Sequence, residues 1–111
     1  AGIAAAVRRR LNLATPAAWS RFTELAADMR MPPSTLRHRL HDEGQSYAAI
    51  KDDIRRDLAV ELLLNTSMSI GEIAVQLGYS EPSAFFRAFK KWIGKSPEAF
   101  RREEAKSAQW E

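Results

Sequence analysis

Apolar residues return along this chain every three or four positions, and no segment alternates apolar with polar as a half-buried strand would. Ile3, Val7 and Leu11 stand four apart and predict an amphipathic helix over 3–13, broken by Thr15-Pro16. Phe22, Leu25 and Ala26 mark a short second helix, about 20–28. Met29-Arg30-Met31 is a tight connection, and Pro32-Pro33 opens a third helix to Asp42, since proline fits a helix's first turn; Gly44 stops it. Ser46 is the expected N-cap of a long fourth helix ending near Asn65, with Tyr47, Ile50, Ile54, Leu58 and Leu62 as its apolar stripe. Ser69 and Glu72 have capping-box spacing at the start of a fifth helix, whose buried face is Ile70, Ile73, Ala74 and Leu77. Ser80 is the expected cap of a sixth, with Pro82 in its first turn, Phe85, Phe89 and Trp92 as its inner stripe, and Gly94 at its end. Ser96-Pro97 starts a seventh that runs to about Glu104.

The pattern also repeats. Leu25-Ala26 and Ile73-Ala74 lie 48 residues apart, as do Met31 and Tyr79, while Leu36 and Leu40 match Phe85 and Phe89 at an offset of 49. The second copy therefore carries one extra residue in its turn. Each copy reads as short helix, tight turn, second helix, the helix-turn-helix layout. The expected fold is all-α, with seven helices and a homeodomain-like arrangement. Residues 1–45 form a first helix-turn-helix subdomain, 46–65 a linker helix, and 66–111 a second subdomain with a C-terminal helix.

A helix turns about 100° per residue. With Leu36 and Leu40 facing inward, Ser34, His38 and His41 point outward on the third helix, with Arg37 and Arg39 on its flanks. With Phe85, Phe89 and Trp92 inward, Ser83, Arg87 and Lys91 share the outer face of the sixth. Both second helices thus carry hydrogen-bonding or cationic groups where a major-groove reader needs them.

Charge sharpens this picture. The whole chain is mildly basic, with 17 Lys and Arg against 14 Asp and Glu. Residues 42–61 hold six acids and three bases, which reads as a solvated linker. Residues 85–102 hold six bases (Arg87, Lys90, Lys91, Lys95, Arg101 and Arg102) and one acid, Glu98, which reads as a phosphate-facing surface. There is no cysteine, so disulfides, thiolate zinc sites and cysteine nucleophiles are excluded. His38 and His41 have i,i+3 spacing but no third ligand, so no metal is expected. No glycine-rich phosphate loop or nucleophile–base pair is present, so no catalytic residue and no cofactor are expected. No apolar run approaches the ~20 residues that span a bilayer, so no membrane partner is expected and the expected location is the cytoplasm, at the nucleoid. Trp19 is placed at the first inter-helix corner and Trp92 in the core; Trp110 in the polar tail has no assigned role. The chain begins Ala-Gly without Met and reads as a fragment of a longer protein.

Residues 70–101, from Ile-Gly-Glu-Ile-Ala-Val-Gln-Leu-Gly-Tyr through Phe85, Arg87, Phe89, Gly94 and Pro97 to Phe100-Arg101, closely resemble the signature of AraC/XylS-type transcription regulators. The resemblance also takes in Leu36-Arg37-His38-Arg39-Leu40 and Gly44, and Arg55, Ala59 and Leu62-Leu63 in the linker, and spans about residues 20–102. It implies two lobes on a rigid connecting helix, binding double-stranded DNA sequence-specifically with both recognition helices in adjacent major-groove segments. The recognition positions fall on Ser34, Arg37 and His38 in the first lobe and on Pro82, Ser83 and Arg87 in the second. Phosphate contacts are expected from Arg39, His41, Lys90, Lys91, Lys95 and Arg102. The resemblance further implies RNA polymerase as a partner and an N-terminal effector or dimerisation domain in the full-length protein. This sequence departs from the family in having Pro32 where a serine is usual, Arg30 where the turn often has glycine, and Phe100 where tyrosine is frequent. The alternative from another class is a helical protein-interaction module without direct DNA readout.

Overall fold

The computed structural model describes residues 2–109, and side chains as far as Ala105. Ala1, Trp110 and Glu111 lie outside the described residues, as does any role for the Trp110 side chain. The regular elements are α1 (Ile3–Leu11), a 3-10 turn (Pro16–Ala18), α2 (Phe22–Asp28), α3 (Pro33–Asp42), α4 (Tyr47–Asn65), α5 (Ile70–Gln76), α6 (Pro82–Ile93) and α7 (Pro97–Gln109). All seven expected α-helices form, and no strand occurs among the described residues. The contacts divide the chain into two units, one ending at Ile54 and the other beginning at Arg55, so the boundary falls inside α4.

In the first unit Val7, Leu11, Leu25, Ala26, Leu36, Leu40 and Ile50 form the buried core. α1 stops two residues earlier than its periodicity suggests, because the chain must turn there to bring Pro16 into the interior. The Trp19 indole locks that turn by donating to the Leu11 carbonyl at 2.8 Å, which places Trp19 at the expected corner. In the second unit the core is Ala59, Leu63, Ile73, Ala74, Leu77, Phe85 and Phe89, with Trp92 and Phe100 packed against it.

The apolar stripe expected along α4 needs correction. Tyr47, Ile50 and Ile54 serve the first core, but in the second half the fully buried residues are Ala59 and Leu63, with Leu58 and Leu62 only partly covered. The helix meets a different core past Ile54, one position round its surface, with the small Ala59 fully buried there. The acidic residues do lie outside, but α4 contributes side chains to both interiors.

Caps follow local chemistry. The Ser46, Ser69 and Ser96 hydroxyls accept the N–H groups of Ala49, Glu72 and Ala99, each at 3.1 Å. Ser80 does not cap α6. Glu81 is the N-cap and makes no side-chain bond, and Pro82 at the first position brings no N–H that needs a partner. Pro32 and Pro33 begin α3 in the same way.

α1 is held by a residue far along the chain. The Glu43 carboxylate, just past α3, accepts the N–H groups of Ile3 at 2.7 Å and Ala4 at 3.0 Å. These two amides, Ala4 first, hold the carboxyl below the usual carboxylate range. A carboxyl with a depressed folded pKa stabilises the fold above its unfolded pKa, and that contribution disappears as pH falls through the folded value. Glu43→Gln is expected to speed hydrogen exchange at the Ile3 and Ala4 amides severalfold at neutral pH. Wild-type exchange should approach the variant's once pH falls below the usual carboxylate range, after correction for intrinsic rates. Equal protection in both proteins at pH 7 would show that the carboxylate does not hold α1.

Candidate nucleic-acid interface

Two copies of one backbone device build the site. At the end of α2, Met31 N–H donates to Ala26 O at 3.1 Å and Arg30 N–H to Ala27 O at 3.0 Å. At the end of α5, Tyr79 N–H donates to Ala74 O and Gly78 N–H to Val75 O, both at 3.0 Å. Each is a Schellman closure with its pivot residue in the left-handed region, Arg30 at φ 60° and Gly78 at φ 86°. The offset of 48 therefore superposes hydrogen bond on hydrogen bond, and α3 and α6 begin at Pro33 and Pro82, 49 apart as expected. Arg30 holds the pivot without glycine's freedom, at a cost of about 1–2 kcal/mol for a side chain in that conformation.

These turns fix which faces are left outside. On α3, Leu36 and Leu40 are buried while Ser34, Arg37, His38, Arg39 and His41 are exposed. On α6, Phe85 and Phe89 are buried while Pro82, Ser83, Arg87, Lys90 and Lys91 are exposed. Ser34, Arg37 or His38, and His41 follow one another at helical spacing on one face; so do Ser83, Arg87, and Lys90 or Lys91. Lys95, in the loop after Gly94, and Arg102, on α7, are exposed but belong to neither recognition face.

The charged groups differ in how far they are engaged. His38 lies 3.5 Å from Asp42, one turn on. The Arg37 guanidinium sits over the Phe22 ring, 5.0 Å from its centroid. Lys95 is ion-paired with Glu103, whose carboxylate raises the lysine's pKa above the usual range. Among the described residues Arg87, Lys90, Lys91 and Arg102 make no hydrogen bond or ion pair, so their charge is available to a ligand.

Arg101 was grouped by sequence with this basic surface, and the structure turns it inward. Its guanidinium donates to the carbonyls of Leu63 at 3.0 Å, Met68 at 2.6 Å, Leu62 at 3.3 Å and Thr66 at 3.2 Å, closing the end of α4 onto α7. Arg55 has a related role: it donates to Leu77 O at 3.1 Å beside the second turn, with its guanidinium over Tyr79. Neither role shows in local sequence, because the carbonyls they meet lie 22 to 39 residues away. Among the described residues no group of three His, Cys, Asp or Glu is placed to hold a metal ion, and no helix is long and apolar enough to cross a membrane.

A family model described as a helix-turn-helix domain matches residues 25–103, which covers both turns, α4 and most of α7. The chain belongs to the AraC-type helix-turn-helix family. The AraC-type domain is 39% identical over 101 residues to an uncharacterized HTH-type transcriptional regulator of Mycobacterium tuberculosis, a match covering 91% of this chain and 29% of that protein. It thus spans less than a third of that relative's length. Among solved structures it resembles a DNA-binding transcriptional dual regulator of Escherichia coli K-12, with TM-score 0.87 at 25% identity over 96% of this chain and 95% of that one. It also resembles the C-terminal domain of AraT, a response regulator of Geobacillus stearothermophilus, with TM-score 0.80 at 30% identity over 93% and 86% of the two chains. The AraC-type domain thus shares its fold with a DNA-binding regulator.

Proposed function

We propose that this chain is the sequence-reading part of a bacterial transcription regulator, with α3 and α6 entering adjacent major-groove segments of one DNA site. The observation that carries the reading is the duplicated turn, which leaves two helices with buried inner stripes and hydrogen-bonding outer faces. Ser34, Arg37 and His38 read bases in the first segment, and Pro82, Ser83 and Arg87 in the second. Pro82 has no N–H to give and contributes packing only. Arg39, His41, Lys90, Lys91, Lys95 and Arg102 meet phosphates, Lys95 by exchanging Glu103 for a phosphate. The outer faces are unlike each other, which favours an asymmetric site. The full-length protein works in the cytoplasm at the nucleoid, carries an N-terminal effector or dimerisation domain, and engages RNA polymerase.

Two substitutions on α6 separate base reading from phosphate binding. A bidentate arginine–guanine contact is worth about 1–3 kcal/mol of discrimination. Arg87→Ala is therefore expected to relax preference at one or two adjacent base pairs. Lys90→Ala should weaken binding to all sequences alike and reduce the magnitude of the salt slope by about one. Titrations of single-base variants of a selected site, at several salt concentrations, check both. An Arg87→Ala protein with unchanged base preference would show that α6 is oriented otherwise. A helical interaction module that does not read DNA would show no preferred sequence at all.

A further inference from the structure

Arg37 and Arg87 are both assigned to base reading, yet only one of them is held in place. Among the described residues Arg87 makes no hydrogen bond, ion pair or ring contact, whereas the Arg37 guanidinium lies over Phe22. The Phe22 ring packs in turn on Tyr47, with centroids 4.8 Å apart and planes 54° apart, and the Lys51 ammonium lies 4.7 Å from the Tyr47 centroid. Cation, ring, ring and cation thus meet in series across α2, α3 and α4. Leu40 and His41 of α3 line the same shallow recess as Phe22, Arg37 and Tyr47.

We propose that Phe22, backed by Tyr47, is a positioning residue for base readout: its ring fixes Arg37 in the orientation that α3 carries into the groove. This rests on the reading of Arg37 as a base contact. Three features support it. A free arginine side chain samples many rotamers, and a ring beneath the guanidinium removes much of that freedom before DNA arrives. A ring contact uses the cation's charge without occupying its N–H groups as a carboxylate would, and Arg37 makes no hydrogen bond or ion pair among the described residues, so its planar fork stays available to a base edge. Phe22 itself is only half-buried, at the first position of α2, where packing alone would be met by any large apolar side chain. What the aromatic ring adds there is a seat for a cation.

The test is a base-preference profile on a DNA site selected with the 111-residue chain. Single-base variants of that site are titrated with the wild type, Arg37→Ala, Phe22→Leu, Phe22→Tyr and the Phe22→Leu/Arg37→Ala double variant. Arg37→Ala should relax preference at one or two base pairs. Phe22→Leu should lower discrimination at those same pairs by about two- to fivefold, the range of an exposed cation–ring contact. Its salt slope should be unchanged, Phe22→Tyr should restore the profile, and the double variant should be no worse than Arg37→Ala alone. If Arg37→Ala relaxes the profile but Phe22→Leu only weakens binding to all sequences equally, Phe22 merely packs and the proposal is overturned while the Arg37 reading stands. If Arg37→Ala leaves the profile intact, both are overturned. Should Phe22→Leu fail to fold, Tyr47→Leu takes its place, and an unchanged profile in that variant likewise overturns the proposal.

Discussion

Inserting two alanines between Ile54 and Arg55 is expected to abolish high-affinity specific binding while both units stay helical. α4 runs unbroken from Tyr47 to Asn65, 19 residues or about 28 Å at 1.5 Å per residue. The division between units falls between Ile54 and Arg55, so an insertion there leaves each set of core contacts intact. In particular it keeps Arg55 with Leu77 and Tyr79, which an insertion one turn later would not. Two extra helical residues turn everything after them by about 200°. If α3 and α6 read one site together, one of them must then face away from its groove. Each base pair left unread costs about 1–3 kcal/mol, so losing one reader should weaken specific binding by on the order of a hundredfold or more. Far-ultraviolet circular dichroism should show undiminished helix, and non-specific binding at low salt should survive. An insertion variant that keeps the native affinity and preference would mean the two lobes do not act as a rigid pair.

Arg101→Ala is expected to lower the stability of the second unit by about 2–3 kcal/mol, and its melting temperature by roughly 10 °C. Four carbonyls at the end of α4 and the approach to α5 lose one shared donor. A hydrogen bond from a charged donor contributes about 1.5–3 kcal/mol when buried. The four do not add up, because the Thr66 carbonyl is exposed and regains water when the donor leaves. Arg101→Lys should recover less than half, since an ammonium cannot reach four acceptors as a planar fork does. Arg101→Ala should leave the salt slope of DNA binding unchanged wherever the protein is folded. A stable Arg101→Ala protein with a reduced slope would return this residue to the phosphate surface.

Features set by neighbours in the chain could be read from the sequence. Helical periodicity placed every α-helix, and the 48- and 49-residue offsets matched the two turns before their hydrogen bonds were known. The exposed faces of α3 and α6 followed from Leu36, Leu40, Phe85 and Phe89 alone. Features that depend on distant partners could not be read. Ser80 is the type of residue that caps helices, yet the chain enters α6 one residue later, at Glu81. The α4 stripe runs through Leu58 and Leu62 only if one core serves the whole helix, and there are two. Arg101 and Arg102 are identical in type and adjacent, and only the fold decides that one turns to α4 while the other stays outside. The Glu43 hold on α1 spans 40 residues and has no local signature. Arg37's placement over Phe22 likewise depends on how α2 meets α3.

The central claim, that both recognition helices read one DNA site, is tested most directly by footprinting. The native chain is bound to its selected sequence and major-groove protection is mapped base by base. The account predicts two protected major-groove segments about 34 Å apart on one side of the duplex. Arg37→Ala should thin protection in one segment only, and Arg87→Ala in the other only. Protection confined to a single segment, weakened by both substitutions or by neither, would contradict it.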